Sequence, residues 1–320
     1  MPSTIVILGT GGTIAGTASN PLDNVGYSAA QRSVADLLAA VPALAGQPLA
    51  QVQVAQLDSK DMDHATWATL ARAVQLQLDE PEVAGVVITH GTDTLEETAF
   101  FLQQVLAPTK PVVITAAMRP ATALLADGPQ NLLDAVTLAR DGAAQGVLVV
   151  LAGQVHEAAA VRKRHTYRLD AFGSGEAGPL AQVLEGRVRW HRPPPGVVAT
   201  PLGLTALPGP QAPAEAWPWV AIVTSHAGAD GRQVRALCAA GVQGLVVAAT
   251  GNGTVHRVLQ AALDEAGAAG VPVWRCTRCA DGQLVAPGGG EAGPAAAMSP
   301  WQARVALMLS LLRQRAHGAG

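Results

Sequence analysis

Hydroxyl and carboxylate side chains follow three short apolar runs in the first third of the chain. Thr10, Ser59 and the pair Thr92–Asp93 each stand where such a run ends. A threonine or serine hydroxyl becomes a nucleophile when a nearby base removes its proton. An aspartate paired with a lysine can hold that lysine as the base, and backbone N–H groups of a glycine-rich turn can stabilise an oxyanion. These residue types indicate hydroxyl-based nucleophilic catalysis, with Thr10 as the candidate nucleophile.

A glycine-rich turn surrounds Thr10, and this turn is open to other interpretations. In an ordinary strand-to-helix turn, Thr10 would only cap the helix. The turn also resembles a dinucleotide-binding fingerprint, but the glycine spacing differs, and the nearest acid after the second apolar run is Asp58. A phosphate-binding P-loop is excluded, because no Gly-Lys-Ser/Thr follows the glycines.

His90 and Lys163 are further candidates whose surroundings leave their roles open. His90 lies beside Gly91-Thr92-Asp93 and could be a general base, although a histidine in a tight turn is more often a structural donor. Lys163 stands between two arginines, so its composition alone is typical of a solvated surface charge.

The cysteines indicate neither a metal site nor a disulfide framework. Cys276 and Cys279 have the C-x-x-C spacing, but a structural zinc needs four ligands and no second pair exists in the chain. We therefore expect packing at a strand end, with no metal and no cofactor. The odd number of cysteines, 3, is typical of a reducing compartment.

Composition excludes several classes of protein. Apolar residues make up 49% of the 320 residues and charged residues 14%, as in a globular protein. A net charge of -3 leaves no basic surface for nucleic acid. No apolar run reaches the length of a membrane span, and the start of the chain leads directly into the first strand. We therefore expect a cytoplasmic protein that binds neither nucleic acid nor membrane.

Strand and helix patterns alternate along most of the chain, which predicts an α/β fold. A larger N-terminal parallel-sheet domain would span residues 1–191, a proline-rich linker 192–218, and a smaller C-terminal parallel α/β domain 219–320. The predicted strands are 5–8, 52–57, 83–88, 111–115, 146–151, 220–224, 245–249 and 271–274. The predicted helices are 33–41, 65–78, 95–106, 130–140, 233–240, 255–266 and 300–315, and residues 17–27 are a surface loop. Because the ends of parallel strands share one sheet edge, Thr10, Ser59 and Thr92 are expected to converge.

Several blocks together resemble the bacterial L-asparaginase family. Residues 10–16 (TGGTIAG) and 90–98 (HGTDTLEET) are similar to its two signatures, and further similar blocks are 117–120, 127–132, 251–253 and 302–304. The resemblance covers nearly the whole chain in the right order. It implies hydrolysis of L-asparagine to L-aspartate and ammonia through a threonine acyl-enzyme, without a cofactor and often with weaker action on L-glutamine.

The resemblance also implies roles for individual residues. Thr10 would be the nucleophile and Tyr27 the loop tyrosine that contacts it, while Thr92, Asp93 and Lys163 would form the proton-accepting group, with Lys163 as the base. The implied substrate-binding residues are Ser59 for the α-carboxylate, Asp93 for the α-amino group, Ala117 at the amide end, and the neighbouring Lys60, Gly91 and Thr92.

The chain departs from the family pattern at two places. Lys60 stands where many members have glutamine, so we hypothesise a shifted preference between asparagine and glutamine. The family assembles as tetramers of close dimers, in which a neighbouring subunit completes the site. The corresponding candidates in this chain are Asn252, Thr254 and Glu291. Thr254 stands where the family has a partner-supplied asparagine, and both Asp281 and Glu291 are poor matches for the acidic residue that the partner supplies.

Three other functions remain open alongside a homodimeric or homotetrameric amidohydrolase. The first is a non-catalytic amino-acid sensor on the same fold, against which the retained hydroxyls and lysine argue. The second is a nucleotide-binding oxidoreductase, which the glycine spacing disfavours. The third is the ammonia-releasing component of an amidotransferase, which would normally carry an added domain.

Overall fold

A computed structural model describes residues 3–194 and 200–318, which divide into two compact units, Met1–Leu204 and Thr205–Gly320. Part of the predicted linker, residues 195–199, lies outside the described residues. The predicted domain bounds of 1–191 and 219–320 stay a prediction. The α/β fold class, with a larger N-terminal sheet and a smaller C-terminal parallel sheet, is confirmed.

The first unit is built on an eight-stranded sheet. Its parallel part has the spatial order β5-β4-β3-β1-β2, so the first strand lies between the second and third. These strands are β1 (Thr4–Gly11), β2 (Leu49–Leu57), β3 (Val83–Thr89), β4 (Val112–Thr115) and β5 (Val147–Leu151). Four helices accompany them: α1 (Val34–Ala39), α2 (His64–Asp79), α3 (Leu95–Leu106) and α4 (Gly128–Ala139).

β1 lies at the centre of the core, because both of its faces are covered. Ile5, Val6, Ile7 and Leu8 are all buried. Ile5 and Ile7 pack with residues of α1 and α4 on one face, while α2 and α3 contact each other and the sheet. A continuous apolar run is typical of a strand buried on both faces, which is why its sequence lacks alternation.

The sheet continues into antiparallel strands that the sequence patterns did not predict. β6 (Gln154–Glu157), β9 (Ala181–Leu184) and β10 (Arg187–Trp190) extend it beyond β5, and β7 (Arg162–Lys163) with β8 (Phe172–Gly173) forms a separate two-stranded ribbon. These strands are two to four residues long, and their residues range from buried to exposed. So short a segment shows too few alternations to be recognised as a strand.

Helix starts in this unit follow local hydrogen bonding. The predicted helix at 33–41 is only Val34–Ala39, because Ser33 is its N-cap and shares a capping box with Asp36. Asp63 caps α2 by accepting the N–H of Thr66. Pro42 follows α1 in a short 3-10 turn, as expected of a residue that cannot continue an α-helix.

The second unit carries a three-stranded parallel sheet in the order β11-β12-β13. Its elements are β11 (Val220–Thr224), α5 (Arg232–Ala239), β12 (Gly244–Ala249), α6 (Arg257–Ala268), β13 (Val273–Thr277) and α7 (Pro300–Gly318). Cys276 is buried in β13 and Cys279 is exposed beyond it. Across residues 3–194 and 200–318, no group of three or more potential metal ligands comes together. Within the same ranges, no helix is long and apolar enough to cross a bilayer.

Candidate active site

Thr10 lies within β1 and serves to join strands. Its Oγ1 donates a hydrogen bond of 2.9 Å to the main-chain carbonyl of Thr89, the last residue of β3. The residue is 1% exposed. This buried hydroxyl uses its proton in a hydrogen bond that joins two strands of the sheet. The geometry therefore favours a structural role for Thr10.

Two glycines carry the chain out of β1 and against a second loop. Gly11 and Gly12 have φ angles of 104° and 81°, which side chains rarely adopt. A Cβ on Gly12 would lie 2.4 Å from both the Cα and the N of Gly91. The two turns that follow β1 and β3 thus touch backbone to backbone, and only glycine fits at this contact.

Thr13 is the first residue after that turn, in a 3-10 turn spanning Thr13–Ala15. Its Oγ1 lies 2.6 Å from the hydroxyl of Tyr27, with which it shares a hydrogen bond. A bridge between Thr17 and Ser28 closes the intervening loop and returns Tyr27 to this position. The expected contact between Tyr27 and Thr10 is therefore wrong, because Thr10 stays inside the sheet and the tyrosine meets Thr13.

Lys163 meets the end of β3 through its side chain. Its Nζ donates to Thr92 Oγ1 at 2.8 Å and to Asp93 Oδ1 at 2.6 Å. The lysine side chain is 21% exposed, whereas that of Asp93 is 54% exposed. The lysine that composition alone presents as a surface charge is therefore the cation of a cluster formed with Thr92 and Asp93.

Ser59 joins the same cluster from the end of β2. It is buried, and its Oγ accepts the main-chain N–H of Asp93 at 3.2 Å. Its carbonyl accepts the hydroxyl of Thr94 at 2.8 Å. Gly91 packs so closely beneath it that a Cβ there would meet Ser59 Oγ at 2.4 Å. The predicted convergence of strand ends is found here for Ser59, Thr92 and Asp93, with Gly91 beside them, whereas the Thr10 hydroxyl bonds the Thr89 carbonyl.

Lys60 lies at the surface beside the buried Ser59. Its side chain is 61% exposed, and its Nζ donates to Asp58 at 2.9 Å and Asp61 at 3.1 Å. These bonds to two carboxylates raise the pKa of Lys60, so it stays a cation beside Ser59.

His90 is wholly enclosed and takes part in a chain of buried hydrogen bonds. Its Nδ1 donates to the carbonyl of Gly91 at 2.7 Å, so its Nε2 accepts the hydroxyl of Thr98 at 3.1 Å. Thr98 Oγ1 in turn accepts the indole N–H of Trp67 at 2.9 Å. Burial lowers the pKa of His90 to about 4. Of the two roles left open by the sequence, the geometry favours the structural one. Nothing in the sequence around Trp67 and Thr98 indicates that they take part in this chain of hydrogen bonds.

Ala117 lies on the loop after β4 and is buried. Its Cβ lies 3.5 Å from the position that a Cβ on Gly128 would take, and Ile14 lies 2.9 Å from the same position. The loop is closed by the Asp127 carboxylate, which accepts the N–H groups of Met118 and Arg119 at 2.9 Å. Ala117 therefore lies near the segment that carries Thr13.

The three candidates for a neighbouring subunit's contribution all lie in the second unit. Asn252 exchanges two hydrogen bonds with the main chain of Val285, at 2.9 and 2.7 Å. Thr254 forms a bridge with Thr250. Glu291 is exposed.

Comparison with known proteins matches most of the chain to two family models. Residues 4–196 match "Asparaginase, N-terminal", and residues 219–318 match "Glutaminase/Asparaginase C-terminal domain". A Haemophilus influenzae protein named "Probable L-asparaginase periplasmic" is 35% identical over 97% of this chain and 89% of its own length. A "Glutaminase-asparaginase" of Pseudomonas fluorescens biotype A is 35% identical over 88% of this chain and 77% of its own length. A solved structure, "Probable Cytoplasmic L-asparaginase from Campylobacter jejuni", has a TM-score of 0.87 at 35% identity, covering 97% of this chain and 95% of that one.

Proposed function

This chain belongs to the asparaginase family, and on that premise we propose that it is an amidohydrolase that converts L-asparagine to L-aspartate and ammonia. One observation carries the proposal. The Gly12–Gly91 contact brings together the turn that holds Thr13 against Tyr27 and the turn that holds Thr92 against Lys163. A hydroxyl nucleophile and a lysine that moves protons are the parts that amide hydrolysis through an acyl-enzyme needs.

We place the nucleophile at Thr13 instead of Thr10. Thr13 Oγ1 forms a bond to the carboxamide carbon, the C–N bond breaks, and the hydroxyl proton ends on the departing ammonia. Tyr27 orients the hydroxyl, while Lys163 in its neutral amine form takes up the proton through Thr92 and, as the resulting ammonium, gives it to the departing ammonia. In the second half, water bonds to the acyl carbon, the ester bond to Oγ1 breaks, and a water proton returns to Thr13.

Ser59 and Asp93 are proposed to hold the charged end of the substrate. Ser59 Oγ already accepts the Asp93 N–H, so its own proton is available for an α-carboxylate. The Asp93 carboxylate is half-exposed beside Lys163 and can accept an α-ammonium group. Gly91, Thr92, Ala117 and Lys60 complete the proposed lining.

L-Glutamine is a proposed second substrate, because one relative is named a glutaminase-asparaginase. A cytoplasmic location is likewise proposed, in line with the name of the Campylobacter jejuni structure, although the Haemophilus influenzae relative is named periplasmic. We also propose a homodimer or homotetramer in which Asn252, Thr254 and Glu291 of a neighbouring subunit approach the site. This assembly rests on the family resemblance alone.

An ammonia-release assay without added cofactor tests the proposed function. We expect release from L-asparagine and weaker release from L-glutamine, with the D-isomers as the stereochemical controls. A sensor on the same fold would bind L-asparagine without releasing ammonia. Binding without turnover, or no response to any of these amides, would contradict the proposal.

A further inference from the structure

We infer that Glu96 is a positioning residue for this reaction, because its carboxylate holds the main chain of Lys163 so that the ammonium group stays between Thr92 and Asp93. The inference rests on the proposed function, and it deepens that function by assigning a part to a buried acid outside the substrate site.

Three hydrogen bonds tie Lys163 to one short segment of the chain. Its Nζ donates to Thr92 at 2.8 Å and to Asp93 at 2.6 Å, and its main-chain N–H donates to Glu96 Oε2 at 2.7 Å. The partners all lie within residues 92–96, some 67 to 71 positions before Lys163. Both ends of the lysine are thus bound by side chains of one short segment.

The ribbon that carries Lys163 has little structure of its own. β7 and β8 pair through only two residue pairs, Arg162 with Gly173 and Lys163 with Phe172. Of the residues that connect the two strands, 164–170 are exposed and Ala171 is buried, and Arg119 contacts Tyr167 from outside the ribbon. An isolated two-stranded hairpin is marginally stable in water. Contacts from outside the ribbon therefore help to fix the position of Lys163, and Glu96 supplies one to its main chain.

Glu96 is well suited to provide that contact. It is 5% exposed and is the second residue of α3, where the helix dipole stabilises a negative charge. A hydrogen bond from a main-chain N–H to a carboxylate is charge-assisted and stronger than a neutral one. Because α3 begins directly after Thr92–Asp93–Thr94, the helix holds the partners of both ends of Lys163 in one rigid frame.

Replacing Glu96 would release the main chain of Lys163 while leaving both partners of Nζ in place. A displacement of about 1 Å in a catalytic group can cost about 10²-fold in rate. In Glu96→Ala we therefore expect kcat to fall by about 10²-fold, with KM changed by less than about threefold, since Ser59 and Asp93 remain. Glu96→Gln keeps an acceptor oxygen and should hold kcat within about tenfold of the wild type.

The experiment measures kcat, KM and the hydrogen exchange of the Lys163 amide in the full chain. Asp170→Asn is the matched control, because Asp170 is a carboxylate in the loop between β7 and β8 that pairs with Arg168 at the surface. We expect this control to leave both kinetic constants unchanged. If Glu96→Ala does not fold, Glu96→Asp, which keeps the charge but shortens the reach, takes its place with the same expected loss of kcat.

A folded Glu96→Ala enzyme with kcat within about twofold of the wild type would overturn the inference. So would a KM that rises while kcat is unchanged. If the wild-type chain releases no ammonia from any amide, the proposed function fails. Hydrogen exchange of the Lys163 amide then tests the contact between Glu96 and Lys163 without any activity measurement. Faster exchange of the Lys163 amide in Glu96→Ala than in the wild type then supports the contact, and an equal rate refutes it.

Discussion

The stability of the first unit should depend on pH through His90. Its ring donates to the Gly91 carbonyl through Nδ1 and accepts from Thr98 through Nε2. A proton added to Nε2 would face the Thr98 hydroxyl, which would have to turn away from the ring. Burial therefore lowers the pKa of His90 from 6.5 to about 4.

The sign of the effect follows from the lowered pKa. Between pH 6.5 and pH 4, the unfolded chain binds a proton at this position and the folded chain does not. The contribution of neutral His90 to stability is therefore complete above pH 6.5 and is lost as the pH falls toward 4. At about 1.4 kcal/mol for each pH unit, the loss at pH 4 is about 3 kcal/mol.

Urea unfolding of the wild type and His90→Asn, at one protein concentration, isolates this contribution. The asparagine amide can still donate to Gly91 but does not titrate in this range. Between pH 7 and pH 4, the free energy of unfolding should fall by about 3 kcal/mol more in the wild type than in the variant. The pKa of His156, which burial also lowers to about 4, affects both proteins equally. If the free energy of unfolding falls by the same amount in the wild type and in His90→Asn, to within about 1 kcal/mol, the reasoning is refuted.

Three substitutions test other parts of the site. Gly12→Ala places a Cβ 2.4 Å from the Gly91 backbone and should lower kcat by about 10²-fold, whereas Gly142→Ala meets no atom within 4 Å and should be silent in the same assay. Tyr27→Phe removes the hydroxyl bound to Thr13 and should lower kcat by about 10-fold or more, while Tyr167→Phe is expected to have no effect. Lys60→Gln leaves the Asp58 and Asp61 carboxylates without their cation and should change the ratio of kcat/KM for asparagine and glutamine by at least about threefold. An unchanged ratio would refute a role for Lys60 in substrate preference.

The parallel core could be predicted from the sequence because strands that are buried on both faces consist of unbroken runs of apolar residues. Residues 83–88 form an unbroken apolar run, and β3 is found at Val83–Thr89. The strand ends then place Ser59 and Asp93 together, as parallel topology requires. The two-residue strand that carries Lys163 has no such apolar run. Its position depends on contacts with residues about 70 positions away in the sequence.

The sequence predicted Thr10 as the nucleophile, whereas the proposal made from the structure moves the nucleophile to Thr13. Both threonines lie in one glycine-rich turn, and both follow the same apolar run. What separates them is the positive φ of Gly11 and Gly12, which carries the chain out of the sheet between the two hydroxyls. Local sequence propensities predict the end of a strand only to within a few residues.

The most direct test of the account compares kcat for L-asparagine in Thr13→Ala and Thr10→Ala. Loss of a nucleophile should lower kcat by at least about 10³-fold in Thr13→Ala. Thr10→Ala removes a buried hydrogen bond, should cost about 1 kcal/mol in stability, and should keep kcat within about tenfold of the wild type. A Thr13→Ala enzyme that turns over nearly as fast as the wild type, while Thr10→Ala is inactive and folded, would contradict the account.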